Sequence, residues 1–193
     1  PFRHQAYEGY KAQRKGMPDE LAAQMPVLKQ VLDAMNIRRY ELEGWEADDL
    51  LGTMSLRAEE QGWDTVVVTG DKDSLQLIDE HVTVKLVSTR MGQTTTKDMT
   101  PEAFRAQYGF DPIHMIDLKA LMGDTGDNIP GGKGIGEKTA MALMAQYPSI
   151  DELYAHLDGL DAKPAVLKKL EEGRDSARMS YDLATIHRDA PMG

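Results

Sequence analysis

The sequence predicts an α/β fold: a mostly parallel central sheet flanked by helices, followed by a helical C-terminal part. Three observations predict it. Val66-Val67-Val68 is a short, wholly apolar, β-branched run, the pattern of a strand buried on both faces of a parallel sheet. Strand-like and helix-like stretches alternate along much of the chain, as α/β cores require. Residues 149–187 then read as helical and mixed in charge. No repeat, low-complexity tract or linker divides the 193 residues, so 1–193 reads as a single domain, long enough to bury a core unaided.

Taken in order, residues 1–15 form a basic segment, with Arg3, His4, Lys11, Arg14 and Lys15 against Glu8. In a helix, Arg3, Tyr7, Lys11 and Arg14 would share a face. Gly16 and Pro18 end it. Leu21, Met25, Leu28, Leu32 and Met35 mark an amphipathic helix, with Pro26 as a kink or a late start. "RRYEL" (38–42) reads as a strand, and "WEADDLLGTMSLRAEEQG" as a helix. Asp71 and Asp73 follow the valine strand, at the sheet edge where α/β proteins bind ligands. "VTVKLVST" and "RMGQ" give another strand and a turn. Thr100-Pro101 opens a helix with a hydroxyl cap and proline in the first turn.

Composition narrows the function. Aromatics are 6% of the chain against 41% hydrophobic residues, so leucine and methionine must fill the core. The absence of cysteine excludes disulfides and thiolate-bound zinc, and fits a reducing cytoplasm. No apolar run approaches the roughly 20 residues that span a bilayer, and no secretory signal is read at the start. A net charge of −10 argues against a simple basic nucleic-acid binder. Carboxylates gathered around cations would reverse that argument locally.

"MGDTGDNIPGGKGIGEKTA" (122–140) sets paired aspartates against a glycine-rich turn. Gly131 and Gly136 have P-loop spacing, but Glu137 stands where lysine is needed; glycines at 132, 134 and 136 miss the dinucleotide pattern. Two readings remain for the region about 117–147. One is a helix-hairpin-helix-like turn whose backbone N–H groups, Lys133 and Lys138 grip a nucleic-acid backbone. The other is a plain connection between packed helices.

Three acidic groups accompany it: Glu46, Asp48 and Asp49; Asp71 and Asp73; Asp124 and Asp127. Each group alone has an ordinary explanation, a helix macrodipole or a turn. Together, at element ends beside a phosphate-gripping turn, they favour hard divalent cations and phosphodiester chemistry.

Four stretches carry a resemblance: "FRHQAYEGYKAQR" (2–14), "GWEADDLLGT" (44–53), "VVTGDKDSLQL" (67–77) and "LMGDTGDNIPGGKGIGEKTA" (121–140). In this order they resemble the 5′-nuclease domain of bacterial DNA polymerase I and, more broadly, the flap endonuclease family. The resemblance implies a PIN-like nuclease fold and a metal-dependent 5′→3′ exonuclease or flap endonuclease of DNA replication and repair. It implies two Mg²⁺ or Mn²⁺ ions held by Glu46, Asp48, Asp49, Asp71, Asp73, Asp124 and Asp127. Lys11 and Arg14 would touch the scissile phosphate. DNA would meet Arg3, Tyr7, Gly131, Gly132, Lys133, Gly134, Ile135, Gly136, Lys138 and Thr139, with K⁺ at the hairpin carbonyls. Tyr7 and Tyr10 are open to stacking on a base or to packing.

The implied partners are flap, nicked or branched DNA and a C-terminal polymerase domain, in a bacterial, nucleoid-associated cytoplasmic setting. Family members carry a further N-terminal segment, with a central strand and two more metal aspartates, before the position of Pro1. The expectation is a chain inactive or weak alone, its sheet completed by another chain or by self-pairing. Two other functions stay open: a DNA-binding module without catalysis, and an RNA-directed nuclease.

Overall fold

In the computed structural model, which describes residues 2–193, the sheet is built from β1 (Thr65–Thr69), β2 (Val82–Arg90) and β3 (Gln93–Met99), in that order. β1 runs parallel to β2, with Val67 opposite Val84, and β2 runs antiparallel to β3. The expected turn at "RMGQ" makes that second pairing a hairpin. Met91 and Gly92 both take positive φ, 51° and 77°, matching a tight two-residue turn to the strand twist. The α/β class holds, and its small sheet is mixed, one pairing parallel and one antiparallel.

The valine run is a strand, but its expected burial on both faces is corrected. Val67 is 3% exposed against Val82 and Val84 on the core side, whereas Val66 and Val68 are 59% and 63% exposed. β1 is an edge strand, and among the described residues nothing covers its outer face. "RRYEL" forms no strand: residues 38–42 lie without regular structure, having found no ladder partner. The basic segment is helical only over α1 (Phe2–Ala6) and continues as turns, so the shared helical face of Arg3, Tyr7, Lys11 and Arg14 does not form.

α2 (Asp19–Ala34) runs through Pro26 and buries none of its residues; its Leu21, Leu28 and the following Met35 are exposed. α3 (Ala47–Glu60) packs its first turns inward through Asp49, Leu50, Gly52 and Thr53. After a 3₁₀ turn (Lys72–Leu77), the hairpin leads to α4 (Pro101–Tyr108). There Thr100 caps as expected, its hydroxyl accepting from Ala103 N at 3.2 Å. α5 (Met115–Met122), α6 (Glu137–Gln146), α7 (Ile150–Ala155), α8 (Pro164–Glu172) and α9 (Arg174–Ala184) form the helical C-terminal part. One core cluster joins both halves: Leu75 and Met99 from the sheet side meet Leu118, Leu121, Leu153 and Leu170. Leucine and methionine fill much of it, beside isoleucine, valine, alanine and two phenylalanines.

α5 and α9 clasp the glycine connection. Gly131 N donates to Ser180 Oγ (2.9 Å), Gly131 O accepts from Ser176 Oγ (2.7 Å), and Gly132 N donates to Leu121 O (2.7 Å). At Gly131, φ is +65° and a Cβ would lie 2.3 Å from the Gly123 nitrogen. Backbone cannot yield there as a flexible side chain would. Gly131→Ala should therefore cost roughly 2–4 kcal/mol, combining left-handed strain with overpacking. Urea denaturation measures it, and wild-type stability would show that the turn is not tight.

Candidate metal centre and nucleic-acid interface

The start of α3 turns toward the N-terminal segment, and charge decides the contact. Arg3, 5% exposed, lays its guanidinium on Asp49, with Nη1 to Oδ2 at 2.8 Å and Nη2 to Oδ1 at 2.7 Å. His187 N donates to the same carboxylate at 3.0 Å. Burial alone would raise the Asp49 pKa, but these donors hold it below the ordinary aspartate value. Glu46 closes a capping box, its N–H donating to Asp49 Oδ2 at 3.2 Å. Its carboxylate accepts from Arg3, Lys11 and the buried Tyr10 hydroxyl, and is held low against burial by Lys11 and Arg3.

The remaining five aspartates converge from three elements. Asp48 is on α3, Asp71 and Asp73 on the turn after β1, and Asp124 and Asp127 on the loop after α5. One oxygen each from Asp48, Asp71 and Asp73 lie within 4.8 Å of one another, and so do those from Asp73, Asp124 and Asp127. Asp73 thus joins two three-carboxylate clusters. A cavity of about 20 Å³, roughly one water in size, opens beside Glu46, Asp48, Asp73 and Asp127. Burial, then the charges of Asp71 and Glu46, push Asp48 up to about 6. Burial also raises Asp127, despite Lys11 and Arg14 nearby.

Asp73 Oδ1 is buried and receives no hydrogen bond of proper geometry. Lys119 of α5 crowds it with its ammonium and also donates to Asp124 Oδ2 at 3.0 Å. An all-oxygen donor set gathered from three elements suits a hard divalent cation. Five carboxylates gathered there fit such an ion chemically.

Arg14 pairs with Asp127, and its Nε donates to Gly126 O at 3.0 Å. Lys11 N donates to Asp127 O at 2.8 Å, and Asn128 Nδ2 donates to Gly9 O at 2.7 Å. Segment 9–14 is thereby laced to the 124–128 turn. Lys11 and Arg14 side chains stay 25% and 53% exposed at its rim.

Beyond the clasped glycines, the tip at Lys133 and Gly134 is exposed, followed by Gly136, Lys138 and a half-buried Thr139. Gly136 opens α6 with no side-chain cap, leaving first-turn N–H groups for a ligand. Gly134 has φ +78° and open approach except for the Lys169 stem at 3.2 Å.

Several expected roles change. Arg3, expected at the DNA, is buried instead, with its guanidinium engaged by Asp49, Glu46 and the carbonyls of Leu183 and Thr185. Asp49, fully buried on Arg3, and Glu46, occupied by Arg3 and Lys11, stand outside both three-carboxylate clusters. Ile135 is 4% exposed and anchors the hairpin in the core, and Gly131 and Gly132 are buried there too. Tyr7 packs beside Tyr10, Ile116 and Ile129. Lys119 was missed; a lone cation in the apolar stretch "LKALM" was its only signal.

The Arg3–Asp49 pair fixes a pH dependence. A carboxylate held low in the folded state stabilises above the unfolded value, and that contribution is lost as pH falls through the lower folded value. Asp49→Asn leaves a buried guanidinium poorly compensated and should cost on the order of 3 kcal/mol at neutral pH. The gap to wild type should close well below the ~4 of an unfolded aspartate. Urea denaturation at both pH values checks this; a pH-independent gap would remove the charge from the explanation.

Comparison with known proteins adds the context. Residues 1–109 match the family model "5'-3' exonuclease, N-terminal resolvase-like domain", and residues 110–193 match "5'-3' exonuclease, C-terminal SAM fold". DNA polymerase I of Bacillus subtilis (strain 168) is 46% identical over 191 residues, covering 99% of this chain and 21% of that protein. The thermostable DNA polymerase I of Thermus thermophilus is 38% identical, covering 99% and 22%. The chain thus spans about a fifth of the length of these relatives. Among solved structures, T5 5'-exonuclease with bound zinc superposes with a TM-score of 0.74 at 22% identity, over 96% of this chain and 70% of that one. The catalytic core of Rad2 in complex with DNA gives 0.59 at 17%, over 98% and 62%, so these two speak for the fold alone. With both family models matched end to end over the elements that bring its carboxylates together, the chain belongs to the 5′-3′ exonuclease family.

Proposed function

We propose that this chain forms the nuclease centre and DNA grip of a structure-specific 5′-nuclease, hydrolysing DNA phosphodiesters at 5′ flaps or nicked ends. The observation that carries this reading is the pair of three-carboxylate clusters joined at Asp73. Asp48, Asp71, Asp73, Asp124 and Asp127 would hold two Mg²⁺ or Mn²⁺ ions, with Glu46 and Asp49 supporting them through the capping box. Divalent ions held by these carboxylates would supply an acidified water and neutralise charge on the phosphate. Lys11 and Arg14, on the rim, would orient the scissile phosphate and meet its developing charge. The T5 neighbours include a flap endonuclease complex with DNA and metal ions, which supports the choice of ligand.

Lys133, Gly134, Gly136, Lys138 and Thr139 would hold the duplex backbone through N–H groups and charge. K⁺ at the hairpin carbonyls belongs to the same proposal, although the Gly131 carbonyl already accepts from Ser176. A polymerase domain on the same polypeptide and work on bacterial DNA in the cytoplasm follow the relatives.

A second reading, DNA binding without cleavage, has its own observation: Arg3, Lys11, Arg14 and Lys119 already neutralise Asp49, Glu46, Asp127, Asp73 and Asp124. A gel assay of the chain on 5′-labelled flap DNA, with Mg²⁺ and with EDTA, separates the two. The chain alone is expected to cut weakly or not at all, and strong Mg²⁺-dependent cleavage would overturn that expectation and secure the nuclease reading. A shifted but uncut band would mean that the grip survives without a complete metal centre, and neither shift nor cut would sink both.

Gly134→Val tests the grip separately. A β-branched residue at φ +78° cannot keep the exposed turn. Duplex affinity should fall roughly tenfold, beside a stability cost of roughly 1–2 kcal/mol from the left-handed strain that leaves the chain folded. Unchanged affinity in a fluorescence-anisotropy titration would take the hairpin out of the interface.

A further inference from the structure

Lys119 has no part in the nuclease reading above, yet it occupies the middle of the site. It sits in the last turn of α5, its side chain 13% exposed, against Asp73 (16%) and Asp124 (26%). Those two carboxylates share the second three-carboxylate cluster with Asp127. An ammonium is a compact point charge, and this one lies where an ion shared by Asp73 and Asp124 would lie.

Resting on the metal-centre reading, we infer that Lys119 is the resident cation of the second cluster: it neutralises Asp73 and Asp124 in the metal-free chain and must leave when a divalent ion enters. Three facts argue for displacement rather than shared occupancy. The ammonium lies against Asp73 Oδ1 and donates to Asp124 Oδ2 at 3.0 Å, so it fills the space between the two carboxylates that a shared ion would take. Asp124 keeps a backbone donor, Gly126 N at 2.9 Å, and so stays in place when the lysine moves. A dication and an ammonium at one pair of carboxylates would repel at short range in a half-buried setting. Lys119 is therefore a positioning residue. It prevents mutual repulsion of the aspartates from splaying the site before metal arrives, and it weakens metal binding in return.

Calorimetric titration of Mn²⁺ into metal-free wild type, Lys119→Met, Lys119→Arg and Asp124→Asn tests this, alongside melting of each chain with EDTA and with saturating Mn²⁺. Lys119→Met keeps the bulk and removes the charge. It should bind Mn²⁺ about tenfold more tightly, since one competing unit charge is gone. It should also melt lower than wild type in EDTA and recover with Mn²⁺. Lys119→Arg should restore the melting temperature in EDTA. Equal or weaker Mn²⁺ affinity in Lys119→Met, with affinity still lost in Asp124→Asn, would overturn the resident-cation role and leave the metal centre standing. Absence of Mn²⁺ binding in every chain would overturn both.

Discussion

The buried pair of Arg3 and Asp49 is the constraint on which the rest of this arrangement depends. The guanidinium satisfies Asp49 with two nitrogens and uses Nε and Nη2 on the carbonyls of Leu183 (3.1 Å) and Thr185 (2.7 Å). One side chain therefore ties the N-terminal segment, the first turn of α3 and the end of α9 to a common point. A charge that far from water is tolerable only with every donor placed. Its neighbours Glu46 and Asp48 inherit their direction from it. The first faces Lys11 and the second faces the clusters.

The same principle explains how an acidic chain gathers seven carboxylates without flying apart. Its cations are interleaved one by one: Arg3 for Asp49, Lys11 for Glu46, Arg14 for Asp127, Lys119 for Asp73 and Asp124. Among the described residues Asp48 and Asp71 are the members without such a partner; Asp48 has only Ser74 Oγ at 3.4 Å, and its pKa rises to about 6. Distribution, not the net charge of −10, sets the local field.

Much of this was legible in the residues, for reasons that are local. Thr100-Pro101 started a helix because capping is decided within one turn, and Asp71 and Asp73 followed a strand because β-branched runs announce themselves. Partners distant in sequence were not legible. Arg3 looked like a DNA contact because nothing near it in the chain names Asp49, 46 positions on. Val66 and Val68 reported a capacity for burial, and whether another element meets it is a tertiary fact. "RRYEL" had strand-forming side chains but no ladder. Ile135 could have been read correctly, since an isolated apolar residue among glycines is more useful as an anchor than as a phosphate ligand.

The lacing of Lys11 and Arg14 carries a consequence for the order of events. Both side chains spend their charge on Glu46 and Asp127 while facing outward from the rim. On the proposed reading, a phosphate that drew Arg14 from Asp127 would leave that carboxylate more attractive to an ion. By linkage, an ion that satisfies the carboxylate releases the cation toward phosphate by the same factor. Neither ligand therefore needs to arrive first. Their affinities are two readings of a single coupling, set by how firmly this rim side chain holds the acid behind it.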